Sequence, residues 1–194
     1  MAKKITIIDG HPDPAPERLC HALADAYADG ATQAGHEVRR IDVATMEVPF
    51  LRTQSDFEQG TPAPAIQAAQ DDLRWAAHVV IIYPLWLGAM PALLKAFFEQ
   101  TMRPGFAFEA DSKGWPGKLL AGRTARIVIT MGMPAFWYRW FFLAHSLKSL
   151  ERNLLRFVGI KPVGETILGM VEAADADRRA RWLAQMTALG RRAG

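Results

Sequence analysis

Cysteine is nearly missing from this chain: Cys20 is the only one among 194 residues. No intramolecular disulfide is possible, which points to a reducing, cytoplasmic setting. That cysteine and the five histidines show no ligand spacing, so no metal site is expected. Charge is also scarce. The net charge is only +3 and 22% of residues are charged, a balance that does not suggest a nucleic-acid partner. The chain has no Gly-Lys-Ser/Thr ending of a P-loop and no spaced glycines of a dinucleotide fingerprint. Neither a P-loop nor a Rossmann NAD site is therefore supported. No repeat, low-complexity tract or second domain is visible, so residues 1–194 read as one domain. The opening MAKKITIIDGHP holds only a short apolar run and is not expected to be a signal peptide.

One stretch lacks charge altogether. Residues 75–94, WAAHVVIIYPLWLGAMPALL, contain no Asp, Glu, Lys or Arg. Length and hydropathy alone would mark a membrane span. Pro84, Gly88 and Pro91 interrupt it, however, and its centre is β-branched. A buried strand, a loop and a helix start explain it better, so no transmembrane segment is expected.

Half the residues are hydrophobic, enough for one well-filled α/β core. KKITIIDG (3–10) reads as a buried strand, followed by a helix with Leu19, Leu23, Ala26, Tyr27 and Ala31 at helical spacing and a stop at Gly35. HEVRRIDV (36–43) alternates like an outer strand. Residues 44–61 read as a long polar connection, and Thr61-Pro62 as the start of a helix continued by Ile66, Ala69 and Leu73. HVVIIYP (78–84) and TARIVITMG (124–132) are buried strands, and Pro91 opens a helix through Arg103 between them. A Gly- and Pro-punctuated excursion occupies 105–117, a helix is expected over 143–157, and KPVGETILGM (161–170) is a last strand. Asp175 caps a final helix that turns Trp182, Leu183, Met186 and Leu189 inward. This alternation predicts a three-layer, flavodoxin-like sandwich: a five-stranded parallel sheet of order 2-1-3-4-5 with helices on both faces.

In such a sheet ligands bind beyond the carboxyl ends of the strands, near the switch in strand order. That rule selects the loops 10–20, 84–91 and 131–138. The first runs into a helix start, where free amides and the helix dipole attract anions. His11 and Arg18 stand ready to add hydrogen bonds or charge there. The plainer alternative has Pro14 and Pro16 merely starting the helix, with Arg18 solvated. The second loop offers Leu85 and Trp86 as apolar walls and Gly88 for close backbone approach to a flat ligand. A turn over the core explains it equally well. The third loop leads into six aromatics within residues 136–142. Each buries about 150–250 Å², more in total than one helix face can hide, so some must meet a ligand, a subunit or a lipid.

Taken together, the three loops carry a resemblance. The block YPLWLGAMPALLKAFFEQTMRPGFAFE (83–109), GHP after the first strand and LLAGRTARIVITMG (119–132) resemble the NAD(P)H:quinone oxidoreductase family, flavodoxin-like flavoenzymes that include DT-diaphorase and the ancillary proteins of bacterial potassium-efflux systems. The resemblance implies a flavin, FMN or FAD, at the carboxyl edge of the sheet. His11, Arg18, Leu19 and Cys20 align with the family's phosphate-binding turn, although Arg18-Leu19-Cys20 stands where the family has Ser-Phe-Asn. Pro84, Leu85, Trp86 and Leu87 align with the segment against the isoalloxazine ring. Thr130, Met131, Gly132 and Met133 align with its Thr-Thr-Gly-Gly loop. Tyr138 falls where the family has a Tyr near the flavin's pyrimidine end and His145 close to the family's His, which makes them the catalytic candidates; the plainer alternatives are a Tyr138 that packs a lid and a His145 on a helix surface. The implied activity is ping-pong transfer of hydride from NAD(P)H through the flavin to a quinone or another flat aromatic acceptor, in a homodimer. An alternative implied by the same resemblance is a flavin-binding regulatory subunit of a membrane potassium-efflux system. A peripheral membrane contact through 136–142 is a third reading.

Overall fold

The computed structural model describes residues 1–110, 114 and 116–194; part of the excursion at 105–117 lies outside them. Along the chain run β1 (Lys4–Asp9), α1 (Leu19–Gln33), β2 (Glu37–Asp42), a 3-10 turn (Val43–Thr45), α2 (Gln54–Gln59), α3 (Pro64–Trp75), β3 (His78–Pro84) and α4 (Ala92–Thr101). Next come β4 (Thr124–Met131), α5 (Ala135–Trp140), α6 (His145–Ser149), a π-helical stretch (Leu150–Leu155), α7 (Arg156–Val158), β5 (Val163–Gly169) and α8 (Ala176–Arg192). The five strands form one sheet in the order β2-β1-β3-β4-β5, and every neighbouring pair is parallel. This is the flavodoxin-like order expected from the alternation.

The side-chain period of two splits the strands between two apolar layers. Ile5, Ile7, Val80 and Ile82 meet α1 and α8 through Leu23, Tyr27, Trp182 and Met186. Ile8, Ile81, Tyr83 and Ile129 face α3, α4 and the 138–158 region through Leu73, Phe97, Tyr138 and Leu147. Central β3 is buried at all seven positions, whereas edge strand β2 alternates. The uncharged run at 75–94 is thus the middle of the sheet and the loop it feeds. No helix among the described residues is long and apolar enough to cross a membrane.

Three boundaries differ from expectation, each for a local reason. Helix α3 starts at Pro64 rather than at Thr61-Pro62, because proline holds the preceding Ala63 extended (ψ 154°). The 44–61 connection contains α2, capped by the Thr53 side chain accepting from the Asp56 amide at 3.0 Å. Helix α2 has no buried residue, so it leaves no apolar period to read. The helix expected over 143–157 begins instead at His145 and runs on to Val158 through the π-helical stretch. Leu143 and Ala144 adopt left-handed φ values of 51° and 49°, which turns the chain between α5 and α6. The Asp175 cap is where it was expected, accepting from the Arg178 amide at 2.7 Å.

His78 opens β3 in the core. Its Nδ1 lies 2.6 Å from Thr124 Oγ1, while Nε2 is buried with no hydrogen-bond partner among the described residues. Burial, aided by Lys3 and Arg126, lowers its pKa from 6.5 to about 4. The folded state therefore keeps this ring neutral while the unfolded chain protonates it near 6.5, so its contribution to stability is present above that value and lost as pH falls toward about 4. Thermal unfolding followed from pH 7 to pH 4 is expected to show a falling midpoint. His78→Gln, which cannot titrate, should flatten that fall, and an unchanged slope would assign it to other groups.

Candidate functional site

The carboxyl ends of β1, β3 and β4 bring the three selected loops together. His11 and Trp86 meet edge to face, with ring centroids 6.0 Å apart, which joins the first loop to the second. The Leu85 amide donates to the Thr130 carbonyl at 2.8 Å, and Cys20 Sγ lies 3.5 Å from Thr130 Oγ1. These contacts tie α1 and the second loop to the end of β4.

Between the second and third loops lies a cleft of about 390 Å³, lined by Leu85, Leu87, Gly88, Met133, Tyr138, Phe142 and His145. Its size suits a small molecule, since such sites span about 300–1,000 Å³. Strained backbone surrounds it: Leu87, like Leu143 and Ala144, has a positive φ (48°). Residues other than glycine pay about 1–2 kcal/mol for that conformation, and such strain gathers at functional sites. Gly88 adopts φ 79°, and a Cβ there would meet nothing within 4 Å, so bare backbone faces open space.

Tyr138 and His145 line this cleft together, seven residues apart in sequence, because the left-handed turn at Leu143–Ala144 folds α6 back beside α5. Tyr138 is 2% exposed, and its hydroxyl accepts from the Leu147 amide at 3.1 Å. Burial raises its pKa above 10, although the Leu147 amide and Ser146 oppose the shift. The phenol is therefore protonated at neutral pH. With its lone pair engaged by Leu147, its own proton is free to be donated. His145 is exposed at the mouth.

The first loop is organised around two carboxylates. Asp9 ends β1 with its side chain buried; it takes hydrogen bonds from the His11 amide at 3.3 Å and from Arg40 Nη2 at 2.7 Å, and lies 2.6 Å from His21 Nδ1. Arg40 also pairs with Asp25 and Asp42. Burial disfavours a charged His21, but the Asp9 hydrogen bond and its allies outweigh it and raise its pKa. Burial lowers that of His11, which is neutral and offers hydrogen bonds rather than charge. Asp13 accepts from the Ala15 amide at 3.0 Å and pairs with Arg18, whose Nε and Nη2 lie 2.7 Å and 2.5 Å from Asp13 Oδ2. Arg18 is thus neither free nor inert: it stands at the N-cap of α1 on an exposed carboxylate.

Of the residues singled out from sequence, Leu85, Leu87, Met133, Tyr138 and His145 line the cleft, and His11 and Trp86 join its neighbouring loops. Gly132 is exposed beside Met133. Cys20, Pro84, Thr130 and Met131 are buried, and Leu19 is half-buried against the α1–α8 core, so their side chains do not line the cleft. Burial pushes the Cys20 thiol up to about 12, which removes it as a nucleophile. Sequence reasoning passed over the Asp9–His21–Arg40 network, Asp13 and Ser146. The one visible signal was an aspartate ending an otherwise apolar strand, KITIID. Of the six aromatics at 136–142, Tyr138 alone turns inward; Phe136, Trp137, Trp140, Phe141 and Phe142 are exposed.

Comparison with known proteins agrees with this fold. A family model described as flavodoxin-like fold matches residues 3–189. An FMN-dependent NADH:quinone oxidoreductase of Nitratidesulfovibrio vulgaris is 30% identical over 179 residues, covering 80% of this chain and 84% of that protein. Human ribosyldihydronicotinamide dehydrogenase [quinone] is 24% identical over 206 residues, covering 91% and 86%. Among solved structures, an NAD(P)H:quinone oxidoreductase from Methanothermobacter marburgensis superposes with a TM-score of 0.83 at 23% identity, over 98% of this chain and 96% of that one, a likeness of fold.

Proposed function

This chain belongs to the flavodoxin-like fold family, and from that premise we propose that it is an FMN-dependent NAD(P)H:quinone oxidoreductase. The observation that carries the reading is the cleft at the carboxyl ends of β3 and β4, where apolar walls, bare backbone at Gly88 and the donor Tyr138 converge. The nearby relatives that act on quinones with FMN support it.

The residues present fit a flavin. The amides opening α1, His11 and Arg18 would form a donor set for a terminal phosphate, for which Arg18 would have to leave Asp13. Leu85, Leu87 and Met133, with Trp86 on the neighbouring loop, would flank a flat ring, and the exposed backbone at Gly132 would offer its polar edge a partner. Bound FMN supplies the two-electron chemistry that side chains lack. Donor and acceptor occupy the same cleft in turn, which makes the kinetics ping-pong. Tyr138 supplies the proton that a quinone oxygen needs when it receives hydride, and His145 at the mouth contacts the acceptor.

The test begins with colour. Purified protein given FMN is expected to quench flavin fluorescence and turn yellow. Under anaerobic conditions it should bleach with NADH or NADPH and recover with a soluble quinone, and double-reciprocal plots should be parallel. Failure to bind flavin would overturn the reading.

A further inference from the structure

His21 stands in the first turn of α1, and its ring reaches back to the loop that precedes the helix. Nδ1 lies 2.6 Å from Asp9 Oδ2, and Nε2 lies 2.9 Å from the Asp13 carbonyl oxygen. A carbonyl oxygen only accepts. The Asp9 carboxylate already accepts from the His11 amide and from Arg40, so it accepts from His21 as well. Neutral imidazole carries one N–H and can satisfy one of these two acceptors. Both bonds together require the imidazolium. The surroundings suit that charge. Asp9 comes from β1 and Arg40 from β2, where Asp25 and Asp42 also hold it, and Asp13 and Arg18 come from the loop. These are four carboxylates against two guanidinium groups. The His11 ring, centred 5.5 Å away, is neutral. The His21 side chain is only 12% exposed, so water has little room to replace a lost partner.

We propose that His21 is a positioning residue: as an imidazolium it pins the Asp13 main chain to the end of β1 and keeps the 9–13 turn shaped for the FMN phosphate. The inference rests on the reading of this loop as the flavin's phosphate site. Asp13 reaches α1 through its carboxylate, which holds Arg18. A phosphate that takes Arg18 removes that anchor, while the His21 bond to the Asp13 carbonyl stays. Loss of one proton from His21 leaves an acceptor facing an acceptor, and either Asp9 or Asp13 is released. FMN should therefore bind less tightly as pH rises. Burial works against the charge, but the Asp9 and Asp13 hydrogen bonds overcome it and raise the His21 pKa above 6.5. The clamp is thus complete below 6.5 and is lost as pH climbs through the higher folded value. The phosphate's own second ionisation, near about pH 6, would strengthen binding as pH rises, so it cannot produce this fall.

Fluorescence titrations with FMN and with riboflavin, from about pH 6 to about pH 9, read the coupling. FMN affinity should fall ~10-fold across that range, the worth of one charge-assisted hydrogen bond, with at most one proton taken up per FMN bound. Riboflavin has the same ring and no phosphate, and should show no such fall. His21→Gln has one donating end and does not titrate. It should bind FMN ~10-fold more weakly at the acid end and lose the fall. A flat or rising FMN profile, an equal fall for riboflavin, or a His21→Gln variant that keeps the fall would overturn the proposal. Flavin-free protein supplies a readout independent of the functional reading. The chain has five histidines, and His21→Gln deletes one pair of ring ¹⁵N signals, which identifies it. At about pH 6 both His21 nitrogens should carry protons, and the amide signals of Asp13 and Ala15 should shift with the midpoint of its titration. A singly protonated His21 there, or a turn that ignores its titration, refutes the clamp even in a protein that binds FMN. If no flavin binds at any pH, the functional reading falls and the ¹⁵N titration alone decides the clamp. If His21→Gln does not fold, the pH profile and spectra of the unaltered chain carry the test.

Discussion

Replacing Tyr138 by Phe is expected to slow quinone reduction by about 100-fold, the lower end of what a positioned general acid contributes. The phenol is the one proton donor buried at the wall of the 390 Å³ cleft, and burial keeps it protonated at neutral pH. Phenylalanine preserves the apolar wall, so FMN affinity should barely change. The substitution also strands the Leu147 amide, which costs about 1–3 kcal/mol of stability. Rates are therefore best measured well below the unfolding transition, with FMN titrated separately by fluorescence. A variant that binds FMN and turns over at the normal rate would remove Tyr138 from the chemistry. A variant that loses FMN would assign it to binding.

Replacing Gly30 by Leu should cost about 3 kcal/mol or more, because the overlap is with backbone that cannot rotate aside. Helices α1 and α8 touch main chain to main chain. A Cβ on Gly30 would strike the Thr187 carbonyl, and one on Gly190 would strike that of Tyr27. Larger side chains must push α8 off the sheet and open the layer held by Tyr27, Val80 and Met186. Gly30→Ala makes the sharper comparison. Helix propensity alone favours alanine by about 1 kcal/mol, so a net loss of stability can come only from the close approach. Urea unfolding midpoints would decide it. A stabilised Gly30→Ala would mean that the helices part easily, and the packing argument would fall.

Much of this molecule was legible along the chain because its determinants are local. Hydrophobic runs, proline positions and the Asp175 cap act over a few residues, and they placed five strands and most helices near their true bounds. The rule that ligands bind beyond strand ends then selected three loops, and those loops do converge. What stayed hidden depends on contacts distant in sequence. Asp9 meets Arg40 only because β1 lies beside β2, where the register pairs Asp9 with Asp42. Helix α2 was illegible for the opposite reason: it buries nothing, and periodicity reports burial.

The aromatic run at 136–142 shows where the division falls. Composition alone required that some of its six rings remain uncovered, since their combined area exceeds one helix face. It did not say which ring would be buried at the site. That was decided by the left-handed pair Leu143–Ala144, which folds α6 against α5 so that the Leu147 amide reaches the Tyr138 hydroxyl. A side chain's type and period are properties of the sequence. Its burial, its hydrogen-bond partner and the proton it can therefore give arise only when distant segments are packed together.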